Sequence, residues 1–196
     1  MDRQHLKQQL EAFFNQFQTG IQWARLTLPF ETHALKKGEC LFRQGDITGR
    51  VYFLIQGYVR YYSVSESGKE YTQSLIKAPR MIGSTRAMSR NLPTQFNIES
   101  IEDGIAISFV WADFYQQMSQ DLAFMQAYAR FMEMIFITKE SKEYSMVTDT
   151  ATQRYLDFCT QFPELKESLP KQQIASYIGI TPVALSRIRA HLKEGR

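Results

Sequence analysis

Residues 169–192, LPKQQIASYIGITPVALSRIRAHL, predict two short helices joined by a tight turn. Gly179 can adopt the left-handed backbone conformation that such a turn requires. Thr181 can cap the second helix, and Pro182 suits its first position. Apolar residues recur on one face of each helix, so the pair can pack together and leave polar faces outside. This pattern is typical of a helix-turn-helix that reads duplex DNA.

The charge of this segment supports a nucleic-acid partner. Residues 169–196 contain five basic residues and one acidic residue, a local charge of +4 against +3 for the whole chain. A positive field confined to one unit suits phosphate binding. The alternative is a purely structural pair of amphipathic helices, which the concentration of charge disfavours. The residues expected to contact DNA are Lys171, Gln172, Thr181, Pro182, Val183, Ser186, Arg187 and Arg189.

The remaining composition indicates an ordinary globular protein and offers no catalytic or metal site. No segment approaches the ~20 apolar residues that span a bilayer, and the first residues do not resemble a secretion signal, so we expect a soluble, cytoplasmic protein. Cys40 and Cys159 are too far apart in sequence to suggest a redox pair, and two cysteines cannot hold a four-cysteine iron-sulfur cluster. The three histidines show no metal-ligand spacing. We therefore expect no enzyme activity and no bound metal.

Short apolar runs with period-two alternation dominate residues 36–110. The segments predicted as strands are 39–43, 51–55, 58–64, 71–76, 96–101 and 105–110. Glycine-containing turns separate them, which favours an antiparallel sandwich or jelly roll. The predicted fold is therefore α+β, with an N-terminal antiparallel β-roll, a long dimerisation helix and a C-terminal helix-turn-helix domain. The predicted domains are residues 1–118, 119–147 and 148–196.

Residues 121–145 contain no proline or glycine and predict one long helix with two apolar stripes. One stripe, which includes Phe124, Phe131 and Ile135, can pack on the roll. The other can pack on the same helix of a second subunit, although burial within its own domain is the alternative. The residues expected at the dimer contact are Leu122, Met125, Ala129, Met132 and Phe136. A hinge is expected near Thr148, and residues 149–162 predict the next helix.

Taken together, residues 35–71, LKKGECLFRQGDITGRVYFLIQGYVRYYSVSESGKEY, and the C-terminal helix pair resemble the Crp/Fnr family of bacterial transcription regulators. The resemblance implies a cyclic-nucleotide-binding-like roll, a winged helix-turn-helix and a homodimer on a pseudo-palindromic operator in double-stranded DNA. It also implies that Arg187 reads a guanine and that Thr181 contacts a phosphate. Val183 can meet a thymine methyl group. RNA polymerase is a further partner that the family suggests.

The same resemblance implies an effector pocket, but its cyclic AMP signature is incomplete. Family members that bind this nucleotide carry a Gly-Glu pair and, about ten residues later, an Arg-Ser or Arg-Thr pair. Here the first pair is Gly83-Ser84, and the second falls at Pro93-Thr94 or Thr94-Gln95 without the arginine. A buried phosphate needs such a charged partner. The candidate pocket residues are Gly83, Ser84, Thr94 and Gln95, and we expect no cyclic AMP in the usual mode.

Two questions about the roll stay open at this point. Arg80, Arg86 and Arg90 either supply the missing cation from another position or are solvated loop residues. The pocket either accepts another small molecule, of unknown identity, or is filled by side chains such as Phe96 and Met88. Two other functions are weaker: a sensor module that acts through protein contacts, and a cupin-like metalloenzyme, which the scattered histidines disfavour.

Overall fold

The computed structural model describes residues 3–194, which form eight α-helices and eight β-strands. In chain order they are α1 (Arg3–Asn15), β1 (Glu31–Leu35), β2 (Cys40–Phe42), β3 (Arg50–Gln56), β4 (Tyr58–Val64), β5 (Glu70–Lys77), β6 (Arg80–Ile82), α2 (Thr85–Arg90), β7 (Asn97–Ser100), β8 (Gly104–Val110), α3 (Trp111–Met118), α4 (Leu122–Thr148), α5 (Ala151–Gln161), α6 (Leu165–Ser168), α7 (Lys171–Tyr177) and α8 (Pro182–Glu194).

The strands form two four-stranded antiparallel sheets with the orders β1-β8-β3-β6 and β2-β7-β4-β5. This confirms the α+β class, the antiparallel roll and all six predicted strands. The sequence did not indicate β1 or β6. Strand β1 lies at a sheet edge and buries only Leu35, so it lacks the apolar alternation of a half-buried strand. Strand β6 has only three residues.

The first sheet is covered on both faces, which explains the continuous apolar runs of β3 and β8. Leu54 and Ala106 are buried in the cluster inside the roll. Phe53 and Phe109 are buried in a second cluster, which the sheet shares with the helices α1, α3 and α4. The sequence of a strand that is buried on both faces is a continuous run of apolar residues, without alternation of apolar and polar residues.

Aromatic side chains join the two ends of the N-terminal region. Phe13 and Phe14 of α1 lie 5.3 and 6.0 Å, between ring centroids, from Phe131 of α4. Phe124 of α4 is fully buried in the same cluster. Asp121 caps α4 by accepting hydrogen bonds from two backbone amides of its first turn. The predicted packing of the Phe124–Phe131 stripe against the chain's own core is therefore confirmed.

Helices α5–α8 share an apolar cluster with the second sheet, and α7 lies directly against β5. One apolar cluster combines Tyr58, Leu75 and Ile101 of the roll with side chains of these helices, among them Phe158 and Ile174. Helix α4 ends at Thr148, where the sequence predicts a hinge, and Thr150 caps α5 through a capping box with Gln153.

Residues 3–194 include no wing of the kind that the family resemblance implies. No strand follows β8 within residues 3–194. The segment between α5 and α7 is short, carries Pro163 and Pro170 near its ends, and forms the single turn α6. Because proline cannot donate to a strand ladder, this segment is poorly suited to a hairpin. In the described part of the chain, no helix is long and apolar enough to cross a membrane.

Candidate DNA-binding surface and effector pocket

Helices α7 and α8 form the predicted helix pair, and their local chemistry follows the sequence. Gly179 has a φ of 73°, in the left-handed region. The hydroxyl of Thr181 accepts a hydrogen bond from the amide of Ala184 at 3.2 Å, as expected of a cap. Ile174 of α7 and Leu185 of α8 are fully buried in the shared cluster. The pair therefore has a fixed inner face and an outer face that is free for a partner.

Most of the predicted DNA contacts lie on that outer face. The predicted contacts that are exposed are Lys171, Gln172, Thr181, Pro182, Val183, Ser186 and Arg187. Val183 is 62% exposed. The hydroxyl of Ser186 donates to the carbonyl of Pro182 at 3.0 Å within the helix. Arg196, counted in the charge of this segment, lies outside the described residues.

Arg189 occupies a different environment from the other predicted contacts. Its Nη2 donates to the carbonyl of Lys166 at 2.9 Å, and its guanidinium lies 5.5 Å from the centroid of the Tyr155 ring. Its Nε is buried without a hydrogen-bond partner. The side chain thus ties α8 to α5 and α6. It is therefore not part of the exposed surface of the helix pair.

The candidate effector residues are held by hydrogen bonds within the protein. The amide of Gly83 donates to the hydroxyl of Tyr61 at 3.0 Å, and Ser84 caps α2. The hydroxyl of Thr94 donates to the carbonyl of Arg43 at 2.8 Å. Gln95 is exposed.

The Tyr61 ring fills the space beside Gly83. Its centroid lies 5.0 Å from that of Phe96, and burial raises the pKa of its hydroxyl. The phenol is therefore neutral at ordinary pH and can accept the Gly83 hydrogen bond throughout.

The three nearby arginines do not converge on these residues. The guanidinium of Arg80 contacts the sulfur of Met134 on α4 at 3.1 Å, and burial lowers its pKa. Arg86 donates to the carbonyl of Pro93 at 3.4 Å, and Arg90 is exposed. Arg86 and Arg90 thus lie at the surface of α2, as the solvated alternative expects, whereas Arg80 is partly buried against α4.

A buried arginine stands where the roll meets α7. Arg60 is 2% exposed and pairs with Glu70 at 2.8 Å and Glu99 at 3.2 Å. Its guanidinium also stacks on the Tyr62 ring, 3.9 Å from the centroid. A small cavity of about 160 Å³ lies beside it, lined by Arg60, Glu70, Pro170, Gln172, Gln173 and Ser176. The buried charge is thus paired, as a charge removed from water must be.

Ser176 joins α7 to the edge of the roll. Its hydroxyl accepts a hydrogen bond from the amide of Thr72 at 2.8 Å and donates to the carbonyl of Glu70 at 3.3 Å. Both backbone groups belong to β5, which is the edge strand of its sheet. At the other end of β5, Lys77 and Tyr58 bind the carboxylate of Glu164, and the contact with Lys77 helps to lower the pKa of Glu164 to about 2.

Helix α4 exposes an apolar face that differs in part from the predicted dimer contact. Leu122, Ala129 and Phe136 are exposed, the first and last by 73% and 70%. Met125 and Met132 are instead half-buried against the chain's own aromatic cluster. Further along the helix, large exposed side chains continue the apolar surface: Ile137 59%, Tyr144 68% and Val147 82%.

Sequence reasoning missed Arg60, Lys142, Arg154 and Ser176. Each makes its contacts with segments remote in sequence or across the hinge, so no local pattern marks them. Among these four residues, Arg60 alone could have been noticed from the sequence, because it is a charged residue within the apolar strand YVRYYSV. Cys40 and Cys159 are both half-buried free thiols, and the described residues include no group of side chains suited to a metal ion.

Known proteins share this architecture. Residues 32–121 match the cyclic nucleotide-binding domain family, a segment that runs from β1 to the start of α4. The fold is similar to that of FixK2 from Bradyrhizobium japonicum, with a TM-score of 0.73, 15% identity and 86% of each chain covered. The chain has the Crp/Fnr fold. The suspected resemblance to Crp/Fnr regulators is thereby confirmed.

Two further solved structures have a similar fold. CLP of Xanthomonas campestris, a c-di-GMP-responsive global regulator, has a TM-score of 0.64 at 12% identity, covering 85% of this chain and 87% of that one. CooA from Carboxydothermus hydrogenoformans has a TM-score of 0.65 at 18% identity, covering 90% and 85%. No curated protein matches the sequence.

Proposed function

We propose that this chain is a homodimeric transcription regulator that binds a pseudo-palindromic operator through α8. The observation that carries the proposal is the outer face of the α7–α8 pair, where Val183 and Arg187 are exposed beside a capped helix start. The N-terminal part of a recognition helix lies against base edges in the major groove. An arginine there can bind guanine through two hydrogen bonds, and Val183 can contact a thymine methyl.

Flanking residues of the pair suit the phosphate backbone. Lys171 and Gln172 are exposed at the start of α7, and Thr181 and Ser186 add hydroxyl groups near the start of α8. Phosphate contacts position the protein, whereas base contacts provide the selectivity. We assign Lys171, Gln172, Thr181 and Ser186 to the first role and Arg187 and Val183 to the second.

The exposed face of α4 supports a homodimer. Leu122, Phe136 and Val147 are each at least 70% exposed on one helix that already packs its opposite side on the roll. Exposed large apolar side chains aligned along one helix are typical of an interaction site. The same helix of a second subunit would cover it and bring two copies of α8 to one operator.

For the roll, we propose that cyclic AMP does not bind in the usual manner. The amide of Gly83 is already bonded to Tyr61, and no arginine occupies the pair at Thr94-Gln95. We expect any effector of the roll to be a different small molecule. RNA polymerase is the partner that a transcription regulator would contact on DNA.

The test is selection of bound sequences from genomic DNA, followed by titration of the selected duplex with the purified full chain. Arg187→Ala should lower affinity for the selected site by about tenfold or more, the expected value of one bidentate base contact. Arg25→Ala removes an exposed arginine of the N-terminal region and should leave affinity unchanged. In a salt series, Lys171→Ala should reduce the slope of log affinity against log salt by about one.

Cyclic AMP is added in a parallel series. Selective DNA binding that is unaffected by the nucleotide supports the proposal. Absence of any sequence preference, together with nucleotide binding to the roll, would instead support a sensor module that acts through protein contacts.

A further inference from the structure

The C-terminal end of α4 and the hinge touch the turn of the α7–α8 pair at three points. Nζ of Lys142 lies 3.4 Å from the centroid of the Tyr177 ring, at the end of α7. The Met146 side chain lies so close to Gly179 that a Cβ there would collide with it. The third point involves Asp149, the residue after α4. The helix that carries the proposed dimer face therefore contacts the turn that precedes α8.

Arg154 makes the third contact by linking Asp149, the residue that follows α4, to the turn. It lies in the first turn of α5 and is half-buried. Its Nε donates to the carbonyl of Ile178 at 2.9 Å, and its Nη1 donates to the carbonyl of Asp149 at 2.5 Å. One guanidinium thus binds the hinge on one side and the turn on the other.

The chemistry of this bridge is particular to arginine. A guanidinium is planar and presents its donors in a fixed fork, so both carbonyls are held at a defined mutual distance and angle. A lysine ammonium is a single centre on a flexible stem. Lysine at this position would keep the charge without fixing the two segments relative to each other.

We propose that Arg154 is a positioning residue that sets the angle of α8 to α4 and thereby the half-site spacing that the dimer accepts. This inference rests on the DNA-binding dimer proposed above. Two recognition helices on one duplex must lie about one helical turn apart, roughly 34 Å. In a two-fold dimer built on α4, the angle at each hinge determines that separation. Arg154 itself touches no DNA in this arrangement.

The test uses the full chain and a panel of duplexes in which two copies of the selected half-site are separated by spacings that differ in single base pairs. Affinity is measured for the wild type, Arg154→Lys, Arg154→Met and Arg187→Ala. The wild type should prefer one spacing by about tenfold over its neighbours. Both Arg154 variants should flatten this preference to less than about threefold while keeping their affinity for a single half-site.

Arg187→Ala is the matched control, because loss of a base contact should lower affinity at every spacing and leave the preference intact. Circular dichroism and sedimentation confirm that each variant is folded and dimeric, and Arg154→Lys decides the matter if Arg154→Met unfolds. Arg154 variants with the wild-type spacing profile would overturn the inference while leaving the DNA-binding function standing. A wild type that selects no sequence would overturn the proposed function itself.

Discussion

The hydrogen bond between Tyr61 and Gly83 gives a stability prediction that can be worked from the structure. Tyr61→Phe keeps the half-buried ring and removes only the hydroxyl that accepts the Gly83 amide at 3.0 Å. The half-buried amide then loses this partner. An unsatisfied buried donor costs about 1–3 kcal/mol, and because Gly83 is only half-buried we expect the lower end of this range, a fall of about 1 kcal/mol in the free energy of unfolding. For a chain of this size that loss lowers the melting temperature by about 2 to 4 °C.

The assay is urea denaturation at fixed protein concentration, because a dimer's apparent stability depends on concentration. The midpoint should fall with an unchanged slope. Burial raises the pKa of the Tyr61 hydroxyl, so the phenol stays protonated and the loss should be equal at pH 6 and pH 9. Tyr71→Phe, at a ring that is 47% exposed, is the control and should change stability by less than about 0.5 kcal/mol. A Tyr61→Phe variant as stable as this control would refute the reasoning.

Two further predictions concern α4. Phe136→Glu places a charge on the exposed apolar face and should convert the dimer to monomers in sedimentation velocity. Ile47→Glu, at a similarly exposed site on the roll, is the control and should leave the dimer intact. A dimeric Phe136→Glu variant would contradict the assignment of this face. Burial lowers the pKa of Lys142 to about 7, so between pH 7 and about 10 the unfolded chain binds a proton that the folded chain does not, and the free energy of unfolding should rise with pH. Lys142→Met should reduce that rise in urea denaturation at pH 7 and pH 9, and an unchanged pH dependence would argue against a lowered pKa for this lysine.

Local chemistry made the helix pair predictable. Gly179 and Thr181 determine the turn and the cap within a few residues of each other, and the structure has both as the sequence indicates. The contacts of Arg60, Arg154 and Ser176 were not predictable in this way. Ser176 binds β5 about a hundred residues earlier in the chain, and nothing in its neighbours indicates that partner.

The exposed face of α4 follows the predicted seven-residue repeat in the first half of the helix and departs from it in the second half. A seven-residue spacing leads from Leu122 through Ala129 to Phe136, all exposed, but the next step falls on Glu143. An α-helix has 3.6 residues per turn, so a strict seven-residue pattern rotates around it by about 20° per repeat. An eleven-residue step from Phe136 reaches Val147, which is 82% exposed. The heptad interpretation therefore missed the exposed apolar residues in the second half of α4. It also included Met125 and Met132, which lie beside the exposed face and are half-buried in the chain's own core.

The position of β5 at the edge of its sheet has a practical consequence for anyone who divides this protein. With α7 removed, the amide of Thr72 and the carbonyl of Glu70 lose the serine that binds them, and Leu75 loses the helices that cover it. An open strand edge beside an apolar face is a template for pairing with another chain. A fragment that stops near residue 150 should therefore self-associate through β5, and its behaviour in a ligand-binding assay would report on that aggregate rather than on the intact roll.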